Sequence, residues 1–146
     1  MSRVRESKSL QVRVRWERRH RLSRHLLNIL EDILISWLKT GAPSELRADP
    51  VRWGHAVESA VGAQLMASVR RSGIDLLYWN VGCKEVDYVL RGDVEIAAME
   101  VKSADADSVS GIHEFRRKYP NAKTYLIGGQ GMSLESLFAI SARDLL

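Results

Sequence analysis

The stretch from Tyr78 to Lys102, YWNVGCKEVDYVLRGDVEIAAMEVK, constrains the fold more than any other part of this 146-residue chain. It reads as three short strands, Leu76–Val81, Glu85–Leu90 and Val94–Val101, separated by the turn residues Gly82-Cys83-Lys84 and Arg91-Gly92-Asp93. Ionisable residues stand where a buried sheet would place apolar ones. Asp87 lies inside the second strand, and Glu100 and Lys102 close the third. Side chains alternate along a strand, so Glu100 and Lys102 share a face about 7 Å apart, and Asp87 shares its face with Glu85 and Val89. Antiparallel pairing across residues 91–93 brings Asp87 close to Glu100. Two facing carboxylates repel unless one is protonated or a cation lies between them.

The flanking segments supply a frame for this meander. Asp49-Pro50 is a helix start, with Asp as N-cap and Pro in the first turn. The predicted helix runs to about Arg71, where Ser72-Gly73 stops it, and it buries the stripe Val57, Val61, Leu65 and Val69. Glu58 adjoins that stripe, where a carboxylate is costly unless paired or bound to a cation. Gly54 and Gly62 lie four residues to either side of it and leave that flank bare. A second helix is predicted over Ser108–Lys118, with Ile112, Phe115 and Tyr119 on one side and Pro120-Asn121 as its stop. Lys123–Gly128 is a fourth strand, and Leu137–Ser141 is a candidate fifth. The order helix, three-strand meander, helix, strand is that of an α/β domain with a mixed sheet.

The N-terminus differs in character. Of the chain's net charge of +4, residues 1–25 contribute nine Lys or Arg against two Glu, whereas residues 26–146 are net acidic. The division that follows is a basic arm (1–21), an amphipathic helix and linker (22–48), and a domain (49–146). The arm suits phosphates or acidic lipids, and equally a solvated tail. In the second segment Leu22, Leu26, Ile29, Leu30, Ile33, Leu34 and Trp37 recur at steps of three and four, and Gly41 and Pro43 follow. Such a stripe needs cover, from the following domain or from another chain. A single cysteine, Cys83, excludes an internal disulfide and any zinc site built on paired cysteines. No apolar run reaches the roughly 20 residues that span a bilayer, so a cytoplasmic protein without a membrane partner is expected.

The charges of the meander define a chemistry. A hard divalent ion such as Mg²⁺ fits between Asp87 and Glu100, with Glu58 completing the site. Lys102 is a positive group beside that position, suited to orienting an attacking water and steadying developing charge, as phosphodiester hydrolysis requires. His113, Arg116, Arg117 and Lys118 either track a DNA backbone or form a solvated face. His55 and Cys83 lack partners at metal spacing, and Trp53, Tyr78 and Trp79 read as packing residues. Taken singly, Asp87, Glu100 and Lys102 are better explained as a cross-strand salt-bridge ladder.

Glu58 on a first helix, then Asp87, then Glu100-Val101-Lys102, on an α-β-β-β-α-β frame, resembles the PD-(D/E)XK nuclease superfamily with its restriction-endonuclease-like fold. The resemblance covers roughly residues 50–128. More narrowly, GHAVES (54–59), LYW (77–79), EVDYVL (85–90) and MEVKS (99–103), with Gly111-Ile112 and Phe115, look like the C-terminal domain of a prokaryotic AAA-type ATPase family. The resemblance implies Asp87 and Glu100 as metal ligands, Lys102 as the catalytic lysine and Glu58 as the helix acid, acting on DNA. The chain departs from the pattern in two ways. It has no Gly-x-x-x-x-Gly-Lys-Ser/Thr phosphate loop, hence no ATPase engine of that type, and Val86 stands where the superfamily motif has its Pro. The expected function is Mg²⁺-dependent DNA phosphodiester hydrolysis. The alternatives are a non-catalytic regulatory module that docks on an ATPase-type partner through the stripe 22–37, and a nucleic-acid binder acting through the arm.

Overall fold

A computed structural model describes residues 47–102 and 109–146. The basic arm and the amphipathic helix expected over residues 22–37 lie outside the described residues. The first helix, α1 (Pro50–Val69), begins as its sequence dictates: Asp49 Oδ1 accepts from the backbone N–H groups of Val51 and Arg52 at 3.1 and 3.2 Å. Pro50 brings no N–H to a turn whose donors have no intrahelical acceptor.

Three antiparallel strands follow, β1 (Asp75–Val81), β2 (Lys84–Arg91) and β3 (Ile96–Val101). Val81 pairs with Lys84, so β1 and β2 are joined by Gly82-Cys83 alone, with Gly82 at a φ of 64°. Positive φ at the first loop residue matches the right-handed twist of the two strands. A helix, α2 (Ser110–Lys118), then crosses over to β4 (Lys123–Ile127), which pairs parallel with β3. The sheet order is β1-β2-β3-β4. This is the mixed-sheet α-β-β-β-α-β core expected from the sequence.

The sheet separates two apolar layers. On one side Val61 and Leu65 of α1 pack with Leu76, Tyr88, Leu90, Ala97, Met99 and Ile127. On the other, Phe115 and Tyr119 pack with Leu77, Trp79, Val86, Val89 and Ala98. Ala97 and Ala98 are both fully buried yet face opposite layers, as the pleat requires of a central strand. Trp79 and Phe115 meet edge to face, with centroids 5.3 Å apart and planes at 84°. Such a pair stabilises by about 1 kcal/mol beyond the area it buries.

Two expectations are corrected here. Leu137–Ser141 is not a strand. Residues Leu134–Phe138 form a short helix, α3, capped by Ser133 Oγ accepting from Ser136 N–H at 3.1 Å. Leu137 enters the core while Phe138 and Ala139 are exposed and Ile140 is half-buried, so burial recurs at a helical and not an alternating step. A last turn, α4 (Ala142–Leu145), buries Ala142 and Leu145 beside α1. The third strand also starts later than expected, since Val94 is 92% exposed and belongs to the turn before Ile96. No helix among the described residues is long and apolar enough to cross a membrane.

The contact of α2 with the sheet depends on one residue without a side chain. A Cβ on Gly111 would lie 1.7 Å from the carbonyl oxygen of Glu85, a backbone atom that no rotamer change removes. Gly111→Ala is therefore expected to lift α2 from β2 and destabilise the domain by about 3 kcal/mol, at the upper end of overpacking effects. Urea unfolding followed by far-UV circular dichroism measures it.

Candidate functional site

The β2–β3 ladder runs from Arg91 opposite Ile96 to Tyr88 opposite Met99. One further step would pair Asp87 with Glu100. There the strands part, and the Val101 N–H donates to Asp87 Oδ2 at 2.7 Å in place of a main-chain acceptor. The other edge of β2 is irregular at the same point. Leu77 faces Val89 and Trp79 faces Val86, so Asp87 and Tyr88 together occupy the place opposite Tyr78. An extra residue of this kind bends a strand and re-aims its side chains. It also breaks the expected alternation: Val89 shares a core layer with Val86, so the pattern that would place Glu85, Asp87 and Val89 on one face does not run through this segment.

Glu100 is 6% exposed, and its carboxylate is held from two directions. Lys102 Nζ lies 2.8 Å from Oε1, and the Ile112 N–H reaches Oε2 at 3.4 Å. Ile112 is the third residue of α2, within the turn whose N–H groups lack intrahelical acceptors, and the N-cap residue Val109 has no side-chain acceptor to offer them. The helix end thus favours negative charge where Glu100 stands. Glu100 and Lys102 do meet, as their spacing implies.

Lys102 is positioned through its backbone. Its N–H donates to the Ile127 carbonyl at 2.8 Å, and a Cβ on Gly128 would lie 2.1 Å from its carbonyl oxygen. Gly128, at a φ of 80°, lets the end of β4 close against that carbonyl.

Glu58 is half-buried on α1. Tyr88, itself 1% exposed, donates its hydroxyl to the Glu58 carbonyl oxygen at 3.0 Å, which ties α1 to the irregular segment of β2. Burial pushes the Tyr88 hydroxyl far above its ordinary value, aided by the Glu58 and Asp87 carboxylates.

These surroundings act on Asp87. Its pKa is raised to about 6, by burial first and then by the Glu58 and Glu100 carboxylates, against the lowering effect of the Val101 N–H and Lys102. The four residues singled out from the sequence therefore share one electrostatic neighbourhood. As they stand, no three His, Cys, Asp or Glu side chains among the described residues converge on a point that could hold a metal ion. Among the described residues, the desolvated Asp87 with the Glu58 and Glu100 carboxylates acting on it is what a hard cation would suit, and Lys102 competes for one oxygen of Glu100.

Other candidates fall elsewhere. Arg116 donates to Thr124 Oγ1 at 2.8 Å and Arg117 pairs with Glu114 at 2.5 Å. Lys118, His113, His55 and Cys83 are exposed. Trp79 is a core residue, as expected. Tyr78 donates its hydroxyl to Glu85 Oε2 at 2.5 Å. Sequence reasoning missed the parts that are main chain: the Val101 N–H, the Ile112 N–H and the irregular register. Gly111 beside Ile112 was the available signal for the second of these.

Residues 53–142 match a family model described as a domain of unknown function, DUF4143. A comparison with curated proteins gives no match. Similar solved structures include an XisH family protein from Nostoc punctiforme PCC 73102, 19% identical with a TM-score of 0.28, the match covering 56% of this chain and 77% of that one. An fdxN element excision controlling factor protein from Anabaena variabilis is 19% identical with a TM-score of 0.27, over 44% of this chain and 64% of that one.

The raised Asp87 pKa carries a stability consequence. The unfolded chain releases this proton near the ordinary value of 3.8, and the folded chain holds it until about pH 6. Between those values the unfolded state binds fewer protons, so this group lowers stability as pH rises through the window, by about 3 kcal/mol in all. Asp87→Asn keeps an acceptor for the Val101 N–H and removes the ionisation. In chelator-treated protein it is expected to raise the unfolding free energy at pH 8 by up to about 3 kcal/mol and to leave it nearly unchanged at pH 4. Urea titrations at the two pH values check the difference.

Proposed function

The chain belongs to the DUF4143 family, and we propose that its site is a PD-(D/E)XK-type nuclease centre that hydrolyses DNA phosphodiesters with Mg²⁺. The observation that supports this best is the state of Asp87. A carboxyl group sits in the gap between two parting strands, and burial, with two further carboxylates, pushes up its pKa while Lys102 stands beside one of them. A salt-bridge ladder would balance its charges. Among the described residues, burial and the Glu58 and Glu100 carboxylates outweigh Lys102 at Asp87, an imbalance that a divalent cation would offset.

In this reading Asp87, Glu100 and Glu58 would hold Mg²⁺, which, when bound, lowers the pKa of water and offsets negative charge at the phosphate. The Val101 N–H orients Asp87, and the first turn of α2 orients Glu100. The Lys102 ammonium is partly accessible, its side chain 23% exposed. It is suited to orient the attacking water and to stabilise charge that develops on the phosphate oxygens. The backbone clamp from β4 fixes where that ammonium can reach. The quoted motifs also support a likeness to the C-terminal domain of AAA-type ATPases.

Purified protein incubated with plasmid DNA and Mg²⁺ is expected to nick or linearise it. Lys102→Ala is expected to lower the cleavage rate at least about 100-fold while keeping the Mg²⁺-dependent rise in melting temperature. Asp87→Ala is expected to lose both. Cleavage that survives both substitutions would overturn the assigned roles. A wild-type protein with neither cleavage nor metal-dependent stabilisation would favour the non-catalytic docking module instead.

A further inference from the structure

Glu100 is almost wholly buried, and each of its oxygens has a partner. Oε1 lies 2.8 Å from the Lys102 ammonium, and Oε2 accepts from the Ile112 N–H at 3.4 Å. A buried carboxylate stripped of its counter-charge is strongly destabilising, so Glu100 needs a positive partner in every state of the folded chain. A divalent cation could take that place. A cation and an ammonium on one buried carboxylate repel each other, so the two compete for it.

The partners of Glu100 differ in their freedom to move. The Ile112 N–H is main chain in the first turn of α2, and α2 rests on β2 where Gly111 meets the Glu85 carbonyl. It cannot withdraw unless the helix lifts, and being uncharged it does not oppose a cation. The backbone of Lys102 is fixed by the Ile127 carbonyl and by the close approach of Gly128. Its ammonium ends a flexible four-carbon stem, and the side chain is 23% exposed. The ammonium can therefore turn toward water while the main chain stays in place, without exchanging one buried position for another.

We infer that Lys102 is the resident counter-ion of Glu100 and gives up that carboxylate when a divalent cation binds, so that its ammonium becomes available to a phosphate only in the loaded site. This rests on the reading of the site as a Mg²⁺ centre. Lys102 then has two duties. It offsets the burial of Glu100 before loading, and it couples loading to the release of a positive group. Coupling of this kind is reciprocal: if the cation displaces the ammonium, the ammonium weakens binding of the cation by the same factor.

Calorimetric titration with MgCl₂ and trace acylation of lysines, read by peptide mass spectrometry, test this on the full chain. Lys102→Met is expected to bind Mg²⁺ about tenfold more tightly than the wild type, the loss of one charge-assisted bond. In the wild type, saturating Mg²⁺ should quicken acylation of Lys102 at least about fivefold and leave that of Lys84 unchanged. Glu100→Gln without added metal should label Lys102 as fast as the Mg²⁺-saturated wild type does. An unchanged or weaker Mg²⁺ affinity in Lys102→Met would overturn the inference. So would Lys102 labelling that ignores Mg²⁺ in a wild type that binds it, even where Lys102→Met binds more tightly, because lost charge alone would then explain the gain. The metal-centre reading would survive each of these results. A wild type that binds no Mg²⁺ would overturn both.

Discussion

The bond from the Val101 N–H to Asp87 Oδ2 is the interaction on which the rest of the site depends. It stands where β2 and β3 stop pairing, and it replaces a ladder bond with a bond to a side chain. Backbone donors are not left unmet in protein interiors, so a parting of two central strands requires some acceptor at the fork. Asp87 provides one, and in doing so commits its carboxylate to a position that burial makes unfavourable for charge. The gap thus opened is flanked by the first turn of α2 on one strand and by Glu58 of α1 near the other. Both helices are tied to β2 at this level, α2 through Gly111 on the Glu85 carbonyl and α1 through the Tyr88 hydroxyl on the Glu58 carbonyl.

The arrangement sets stability against chemistry. Apolar residues at positions 58, 87 and 100 would remove the desolvation of three acids and the repulsion between them. The core around the site shows that the chain can build such packing, since Val86, Tyr88, Val89, Ala98 and Met99 are all buried. Local rules that hold throughout a domain and fail at one cluster point to a use for that cluster. Glu100 has two partners, so its burial is largely offset. Asp87 is the residue that carries the imbalance.

Much of this was legible in the sequence because the relevant signals are local. Asp49-Pro50 states a helix start, Gly82-Cys83-Lys84 states a turn, though Lys84 already belongs to the strand, and Glu100 and Lys102 at a spacing of two share a face. The third strand began too early because Val94 has β propensity, yet Gly92-Asp93 extends the turn past it. Leu137–Ser141 was misread because a five-residue apolar run has no period of its own, and the Ser133 cap decides in favour of helix. The irregular register at Asp87 left no trace in composition, since an extra residue in a strand is visible only against its partner strand. For the same reason the neighbours of Asp87 could be named from sequence, but not the amide that holds it.

One feature of the crossover bears on how such a domain can change over time. Lys102 is fixed by the Ile127 carbonyl and by Gly128, and Gly111 is fixed on the Glu85 carbonyl. The chain that leaves the sheet after Lys102 is thus anchored at its departure and again at its return on α2. Exchange of either glycine for a larger residue would displace an end of the crossover together with the group held there, so the site tolerates change least where it has no side chains.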